Sequence, residues 1–523
     1  MFIIKRTLLI ALALCLMLTA CHGALAEGTG LTDGVYQGAV SSEGGALRVE
    51  VTVEGGKLAS VEVKEIHDTK GISDVPVQRL PAMMVEHQSI NVDTVSGATF
   101  TSIFLKNAVK QALSQAGDTS AFEEKVTYAA PAQTDMDVDV VIVGAGLSGL
   151  SAAVTESARG HSVVLLEELA YVGGNALPSD QYSVNTAEAW GSTPNDLAAD
   201  GMSLRYEDFF GGAMQRMFPA EDTGTSVMNG LCLQMRQTAE GHGAVVLTET
   251  PATGLIIEDG AVKGVVATPL NQEPFEIRAK ATLLTCGGFQ GNQPLIEQYI
   301  PYAKGAMRVG PSKGAGSVFQ WMDGFDLATR DMDWELAMFY SIVPTTGHHA
   351  VWGTFDMNFI DKNGNLITDD HNYNSGSMKT YEALGNDTFY TIWSQRDVDA
   401  AADDPAIMED FLRAKAVTEF SSMDAIAAAY DLPNVVQTLT DLGYDANDIF
   451  YVATARSGIY GTMGGVAVDE QFRVVTKSGE VIPGLFAAGE TIGRNFGGSL
   501  GGATVSGHDA AVCIDSVLNQ EEA

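Results

Sequence analysis

The chain has 523 residues, of which 46% are hydrophobic and 18% charged, a composition typical of globular proteins that excludes intrinsic disorder. Its 66 acidic and 30 basic side chains give a net charge of −36, which disfavours binding to the phosphate backbone of nucleic acids. Two of the five cysteines lie in the first 21 residues and the other three are widely spaced, which excludes a disulfide framework or a CxxC metal site.

The first residues have the organisation of a bacterial export signal. Lys5 and Arg6 precede an uncharged, mostly apolar stretch, residues 7–20, which is too short to span a bilayer as a helix. Leu18-Thr19-Ala20-Cys21 resembles a lipobox, in which the cysteine receives a diacylglyceryl group and becomes the new N-terminus. We therefore expect a lipoprotein signal peptide at 1–20, a lipid anchor on Cys21 and a position on the extracytoplasmic face of the cell membrane. The alternative is a secreted protein cut at Ala24 or Ala26.

Residues 31–66 have the pattern of strands. Apolar and polar residues alternate over 47–53, and Gly55-Gly56 marks a hairpin turn. From Ser102 onward apolar residues recur at helical spacing, with Gly117 as a stop signal. These features predict a small α+β domain over 30–118, followed by a linker at 119–136.

A βαβ unit follows the linker. Residues 138–143 form an apolar strand of the kind buried on both faces of a parallel sheet, and 163–166 form the next strand. Gly144-Ala145-Gly146-Leu147-Ser148-Gly149 lies directly between the first strand and a helix, where the glycines allow the turn, the approach of a pyrophosphate and tight packing. Glu167 ends the second strand and can hold ribose hydroxyls. Gly144, Gly146, Gly149 and Glu167 therefore predict dinucleotide binding, with the diphosphate at the helix N-terminus.

The rest of the chain alternates between two kinds of sequence. Residues 245–268 and 281–286 predict further strands, whereas 300–445 is rich in Asp, Asn, Trp and Tyr and has Ser422 as an N-cap before a helix. Strand-like runs return from Ile449 and end in a helix near 504–518. The simplest prediction is a Rossmann-like α/β domain interrupted by an inserted α+β domain.

Four further motifs follow the nucleotide fingerprint. Together with it they resemble the FAD-dependent flavoprotein family of fumarate reductase, urocanate reductase and 3-ketosteroid Δ1-dehydrogenase, over about residues 136–518. The resemblance implies an FAD-binding domain in two parts, 137–295 and 449–523, around a substrate or cap domain at 296–448. It also implies non-covalent FAD, because no His follows the Gly-Gly motif, with Gly174, Asn175, Glu490 and Leu500 along the cofactor. The motifs are Gly173-Gly174-Asn175, Thr285-Cys286-Gly287-Gly288-Phe289, Gly461-Thr462-Met463-Gly464-Gly465 and Pro483-Gly484-Leu485-Phe486-Ala487-Ala488-Gly489-Glu490.

A second flavin is implied near the N-terminus. Asp93-Thr94-Val95-Ser96-Gly97-Ala98-Thr99 resembles the DxxSGAT motif of FMN-binding domains, in which a transferase esterifies FMN phosphate to the last threonine. This resemblance implies an FMN-binding domain at 30–118, covalent FMN on Thr99 and an FMN transferase as a partner in maturation. The alternative is a Ser-Gly turn that caps a helix.

The dicarboxylate-binding elements of fumarate-type relatives are all changed here. The motif His-His-Thr-Met-Gly-Gly is Tyr460-Gly461-Thr462-Met463-Gly464-Gly465, and the His-Gly-x-Asn-Arg segment is Phe496-Gly497-Gly498-Ser499 without its Arg. The upstream Arg is absent near 359–364, and the His-Pro-Thr region is about 338–340. We therefore expect a substrate other than fumarate. The candidate catalytic residues are Arg456, Tyr460, Arg494 and Tyr340, with His348 and His349 also in the cap; surface ion pairing or ordinary packing is the alternative for each.

These features predict an extracytoplasmic flavoprotein reductase of anaerobic respiration. Electrons are expected to pass from a membrane or extracellular donor through covalent FMN to FAD, and then to a small organic acceptor. An α,β-unsaturated carboxylate other than fumarate is the leading acceptor. The alternatives are an FAD-dependent dehydrogenase of the ketosteroid type and a non-enzymatic electron carrier. No metal site and no nucleic-acid partner is expected.

Overall fold

The computed structural model divides the chain into two compact units. The first comprises Met1–Asp68 and Pro76–Thr127, and the second comprises Thr69–Val75 and Tyr128–Ala523. The predicted signal peptide, Cys21, Arg494 and His348 lie outside the described residues, and only the backbone of Tyr340 and His349 is described. The structure describes residues 30–521 except 43–44, 69, 178–182, 210–213, 221–226, 311, 323, 334, 342–348, 351–356, 369–387, 401–407, 409–410, 413–414 and 494–499.

Strands and helices alternate along most of the described chain. The strands are β1 Gly34–Ser42, β2 Gly45–Glu54, β3 Lys57–Ile66, β4 Met136–Val143, β5 Val163–Leu166, β6 Ser183–Asn185, β7 Leu204–Phe209, β8 Met214–Pro219, β9 Val245–Leu247, β10 Ala252–Glu258, β11 Ala261–Ala267, β12 Phe275–Leu284, β13 Met307–Arg308, β14 Thr329–Arg330, β15 Glu335–Ser341, β16 His349–Ala350, β17 Asn358–Ile360, β18 Leu366–Thr368, β19 Phe389–Ser394, β20 Thr418–Phe420, β21 Phe450–Thr462, β22 Gly465–Val466, β23 Arg473–Val475 and β24 Val481–Ala487. The helices are α1 Asp74–His87, α2 Thr99–Leu113, α3 Leu147–Ala158, α4 Ala187–Trp190, α5 Thr193–Ala199, α6 Val227–Gly241, α7 Gln293–Tyr299, α8 Ser317–Trp321, α9 Gln395–Ala400, α10 Met423–Tyr430, α11 Val435–Asp441 and α12 Leu500–Glu521.

The first unit is a three-stranded antiparallel sheet covered by α2. The strands follow the order β1-β2-β3, and Gly55-Gly56 makes the predicted turn between the last two. Leu105, Ala108 and Val109 on α2 are fully buried, as their helical spacing predicts. At Gly38 on β1, an added Cβ would lie 2.0 Å from the Ala108 carbonyl oxygen, so this helix lies directly on the strand.

The second unit contains the predicted parallel sheet. Strands β12, β4, β5 and β9 are parallel neighbours, and β24 adds to β12 on its other side. Residues 140–143 and 163–166 are buried, which explains their continuous apolar sequence. Asp259-Gly260 forms the turn between β10 and β11. The Rossmann-like α/β architecture is therefore confirmed.

An antiparallel sheet forms the body of the inserted domain. Its order is β16-β15-β21-β19-β17-β18, with β13 and β20 also paired to β21. Helices α10 and α11 cover one part of it through a core that includes Ile392 and Phe450. Ser422 caps α10, as predicted, by accepting the Ala425 N–H at 3.2 Å. Strand β21 is central in this sheet and continues to Thr462.

Two features were not predicted from the sequence. Helix α1 contains Pro81, a residue that usually marks a helix end, and the small sheet β6-β8-β7 lies between the nucleotide fingerprint and α6. Among the described residues, no helix combines the length and apolar character needed to cross a bilayer.

Candidate functional site

The turn between β4 and α3 has the shape that a diphosphate requires. Gly144 has φ +105°, and an added Cβ there would lie 2.5 Å from the Thr285 carbonyl oxygen. By contrast, an added Cβ at Gly146 would meet no atom within 4 Å, so this backbone faces open space. Gly146 is also the N-cap of α3 and supplies no side-chain cap, which leaves the first N–H groups of the helix available to phosphate oxygens.

Glu167 lies at the end of β5, where the sequence placed it. Its carboxylate accepts the Ala145 N–H at 2.9 Å and the Leu169 N–H at 2.8 Å. Burial, opposed by these two bonds, raises the pKa of Glu167 to about 7. Each carboxylate oxygen retains a free lone pair, so this side chain can also accept hydrogen bonds from ribose hydroxyls.

A cavity opens at the carboxyl ends of the parallel strands, where Val143, Leu166 and Thr285 line it. This is the position at which open parallel sheets bind nucleotides. Gly149 packs behind the turn, since an added Cβ would lie 2.0 Å from the Gly144 carbonyl oxygen. The other predicted cofactor residues of this unit line the cavity: Gly144, Gly146, Glu167, Gly174, Asn175, Glu490 and Leu500.

Glu490 joins three of the predicted motifs. Its Oε1 accepts the Thr462 N–H at 2.8 Å, and the Thr462 hydroxyl in turn accepts the Phe289 N–H at 3.0 Å. Burial raises the pKa of Glu490 to about 7. The motifs that lie far apart in sequence therefore meet at one wall of the cavity.

The described structure does not bring the four candidate catalytic residues together. Tyr460 lines the cavity, and its hydroxyl donates to the Asn175 carbonyl oxygen. Arg456 is exposed, donates from Nε to the Thr388 hydroxyl at 3.4 Å, and is not part of the cavity lining. Arg494 lies outside the described residues, and the Tyr340 side chain is not described. Their catalytic roles stay predictions.

Several residues that line the cavity were not predicted from the sequence. Ser312 donates its N–H to Asn175 Oδ1 at 3.0 Å, and Trp321 ends α8 at the cavity wall. Cys286 belongs to the motif Thr285–Phe289, but the motif did not predict a role for its thiol. It also lines the cavity, and burial raises its pKa to about 11. The Trp-rich composition of 300–445 was the sequence signal for residues of this segment in the site. Composition alone does not identify which residue lines the cavity.

Thr99 begins α2 in the first unit. Its side chain is exposed, and Ala98 at the N-cap supplies no side-chain bond to the free N–H groups of the first turn. Ser102 fixes the turn before the helix by accepting the Val95 N–H at 3.1 Å and donating to the Ala98 carbonyl at 2.7 Å. An exposed hydroxyl at an uncapped helix N-terminus fits a phosphodiester. Phe100, 47% exposed, offers an apolar surface beside it.

Comparison with known protein families matches these sites. A model described as an FAD binding domain covers residues 210–505, and an NAD(P)-binding Rossmann-like domain covers 142–190. The chain belongs to the FAD binding domain family. A model described as an FMN-binding domain covers 44–114, within the predicted 30–118.

Several curated relatives of this FAD binding domain protein are named as reductases or oxidoreductases of unsaturated acids. A urocanate reductase from Eggerthella lenta is 26% identical over 88% of each chain. An NADH:acrylate oxidoreductase from Vibrio harveyi is 23% identical over 90% of this chain, which spans 59% of that relative's length. The structure of a 3-ketosteroid Δ1-dehydrogenase from Sterolibacterium denitrificans has a TM-score of 0.61 at 16% identity, over 73% of this chain and all of that one.

These similarities confirm the family and fold that the motifs predicted. The protein is a flavin-dependent oxidoreductase with an FAD-binding and an FMN-binding domain. The domain boundaries and the attribution of roles to single residues remain predictions.

Proposed function

We propose that the protein reduces an α,β-unsaturated carboxylate other than fumarate on the extracytoplasmic face of the membrane, as part of anaerobic respiration. The observation that carries this proposal is the composition of the cavity wall in the second unit. Gly146, Glu167 and Glu490 come from the cofactor motifs, whereas Tyr460 and Met463 lie in or just beyond β21 of the cap sheet. A substrate held by the cap would therefore meet the flavin inside this cavity.

The changed dicarboxylate-binding motifs support an acceptor less anionic than fumarate. In place of His-His-Thr-Met-Gly-Gly the chain has Tyr460-Gly461-Thr462-Met463-Gly464-Gly465, and the described lining residues of the cavity include no Lys, Arg or His. A dicarboxylate would need cationic partners to offset its desolvation. A monocarboxylate, including an aromatic one, needs fewer. Two of the relatives are named for urocanate and acrylate, which are monocarboxylates, whereas others are named for fumarate.

The residues of the second unit fit a role in holding FAD. The N-terminus of α3 would bind the diphosphate, and Glu167 would accept the ribose hydroxyls. When bound, FAD supplies two electrons to the acceptor. The proton must come from a group within about 3 Å of the reacting carbon. Arg494 and Arg456 are the cationic candidates for this group, and Arg456 is exposed.

Electron entry is assigned to the FMN-binding domain. Thr99 would carry the covalent FMN after maturation by a transferase, and a membrane or extracellular donor would reduce it. A lipid anchor on Cys21 would keep this domain beside a membrane donor. A covalent bond would also prevent loss of FMN outside the cell.

Turnover of the holoprotein with reduced viologen tests the proposal. The panel comprises fumarate, urocanate, cinnamates, acrylate and itaconate, with enones and sulfoxides as controls for acceptor class. Oxidation of viologen by a non-fumarate enoate, with the saturated acid as product, is the expected result. If both flavins are present and reducible but no acceptor is reduced, the reductase proposal fails, and the dehydrogenase and carrier alternatives are tested next with saturated ketones and with redox proteins.

A further inference from the structure

Tyr460 occupies an irregular position in the cap sheet. Along the pairing of β15 with β21, Leu336 faces Gly461 and Ala337 faces Ile459, so Tyr460 has no partner across the strands. A bulge leaves the extra residue out of the ladder and bends the strand locally. Ile459 is fully buried in an apolar core, and the next residue, Tyr460, lines the cavity on the opposite face, as strand alternation requires.

Tyr460 and Asn175 hold each other by reciprocal hydrogen bonds. The Tyr460 hydroxyl donates to the Asn175 carbonyl oxygen, and Asn175 Nδ2 donates to the Tyr460 carbonyl oxygen at 3.2 Å. Asn175 Oδ1 also accepts the Ser312 N–H at 3.0 Å. These bonds connect the helical turn Gly174–Ala176, the end of β21 and the loop before α8.

Gly310, which has no side chain, lies beside the Tyr460 ring. An added Cβ at Gly310 would lie 2.9 Å from Asn175 Oδ1 and 3.4 Å from Cε2 of Tyr460. Gly310 has φ +91°, a conformation that disfavours any other residue. The backbone here therefore allows the close approach of Tyr460 and Asn175.

The acceptor of the Tyr460 hydroxyl proton decides whether this residue donates a proton to the substrate or positions its neighbours. A phenol has one proton to donate, and here a backbone carbonyl already accepts it. Burial also raises the pKa of Tyr460, which makes proton loss harder. Both observations disfavour Tyr460 as the acid that protonates the substrate.

We propose that Tyr460 is a positioning residue, which fixes the turn Gly174–Ala176 against the cap sheet and so sets the position of the flavin relative to the substrate. This proposal rests on the proposed function only for its reference to a substrate. Its main consequence is independent of turnover: the Tyr460–Asn175 pair holds the wall that FAD contacts. The catalytic acid is then a different residue.

The test compares Tyr460→Phe with Tyr451→Phe in the full-length holoprotein. Tyr451 is a matched control on the same strand, because it is buried and its hydroxyl donates to Gln395 Oε1 at 2.6 Å, away from the cavity. The measurements are the dissociation constant of FAD, the visible circular dichroism of bound FAD, and the pH profile of turnover on whichever acceptor is active.

For a positioning residue, Tyr460→Phe weakens FAD binding by about tenfold and changes the flavin dichroism, while Tyr451→Phe changes neither. Asn175→Ala produces the same change, and the double variant is less than additive, because both substitutions open one network. The pH profile of Tyr460→Phe keeps both limbs at reduced turnover.

Wild-type FAD affinity and dichroism in Tyr460→Phe, with turnover reduced by about 10²-fold or more and one limb of the pH profile lost, would identify a proton donor and overturn the proposal. If Tyr460→Phe does not fold, the FAD affinity and dichroism of Asn175→Ala decide, since unchanged values would also overturn it. Absence of turnover in the wild type counts against the proposed function alone, because the affinity and dichroism measurements remain valid.

Discussion

Glu167 holds the N–H groups of Ala145 and Leu169 with one buried carboxylate. The same side chain faces the cavity in which a ribose would lie. Its pKa of about 7 reflects burial that the two backbone bonds offset in part. At the scale of single residues, one carboxylate thus both organises the binding loop and presents acceptors to the nucleotide.

Glu167→Ala is expected to weaken FAD binding by at least about tenfold. It should also lower the free energy of unfolding by about 1–3 kcal/mol, because two buried N–H groups lose their acceptor. Titration with FAD and chemical denaturation measure the two effects. Glu258→Ala is the control, since Glu258 is exposed and pairs with Arg278 at the surface. Unchanged FAD affinity in Glu167→Ala would contradict the assignment.

Thr99→Ala is expected to abolish covalent FMN in protein matured with its transferase, because Thr101 and Ser102, the other hydroxyls of the first turn, are buried. Acid denaturation followed by gel fluorescence and intact-protein mass measures the attachment. Thr94→Ala, an exposed threonine in the same motif, should retain the flavin. Loss of all flavin from denatured wild-type protein would refute the covalent bond.

Helices α3 and α12 pack together behind the nucleotide-binding turn, and their contact contains an unusual acid. Glu156 on α3 is fully buried, and neither carboxylate oxygen has a hydrogen-bond partner among the described residues. His161 Nε2 lies 3.6 Å from it and 2.9 Å from Asp515 on α12. Burial, reinforced by the charge of Asp515, raises the pKa of Glu156 to about 9.

Glu156→Gln should therefore stabilise the protein in a pH-dependent way. In the unfolded chain Glu156 ionises near pH 4.5, whereas the folded protein keeps it protonated up to about pH 9. Its contribution to stability is thus present below pH 4.5 and is lost as the pH rises towards 9. The gain in the free energy of unfolding should grow from under about 1 kcal/mol at pH 5 to several kcal/mol, at most about 5, at pH 8.5.

Denaturation of wild type and Glu156→Gln at both pH values, with equal FAD, checks this expectation. Glu240→Gln on α6 is the control, because Glu240 pairs with Arg236 at the surface. A stability difference that does not change with pH would contradict the burial argument.

At the scale of the whole molecule, the net charge of −36 acts on every charged reaction partner. Reduction by a cationic viologen radical should therefore slow as ionic strength rises, whereas reduction by the anionic radical of dithionite should accelerate. We expect changes of about threefold or more between 20 and 500 mM salt, measured by stopped flow. A parallel salt response of both reductants would contradict electrostatic steering.

The proposed lipid anchor on Cys21 would attach the whole protein to the membrane. Metabolic labelling with a lipid should mark the wild-type protein and leave Cys21→Ser unlabelled, while Cys15→Ser retains the label. Lipid incorporation in Cys21→Ser, or none in the wild type, would refute the lipobox assignment.

The sequence by itself determined the local features of this protein. Continuous apolar runs identified β4 and β5, the glycine spacing located the nucleotide turn, and Ser422 marked the start of α10. Each depends on interactions within a few residues, so a linear pattern contains the information. The motif order likewise identified the family and both flavin-binding domains.

Only the tertiary structure decided which distant residues meet. The bulge at Tyr460, its bonds to Asn175, the contribution of Ser312 and Trp321 to the cavity, and the exposure of Arg456 all depend on the pairing of strands far apart in sequence. The sequence around Glu156 is that of an ordinary acidic residue on a helix, and it does not show that α12 helps to bury this side chain. Such contacts are selected by packing across the whole unit, for which a local sequence pattern provides no constraint.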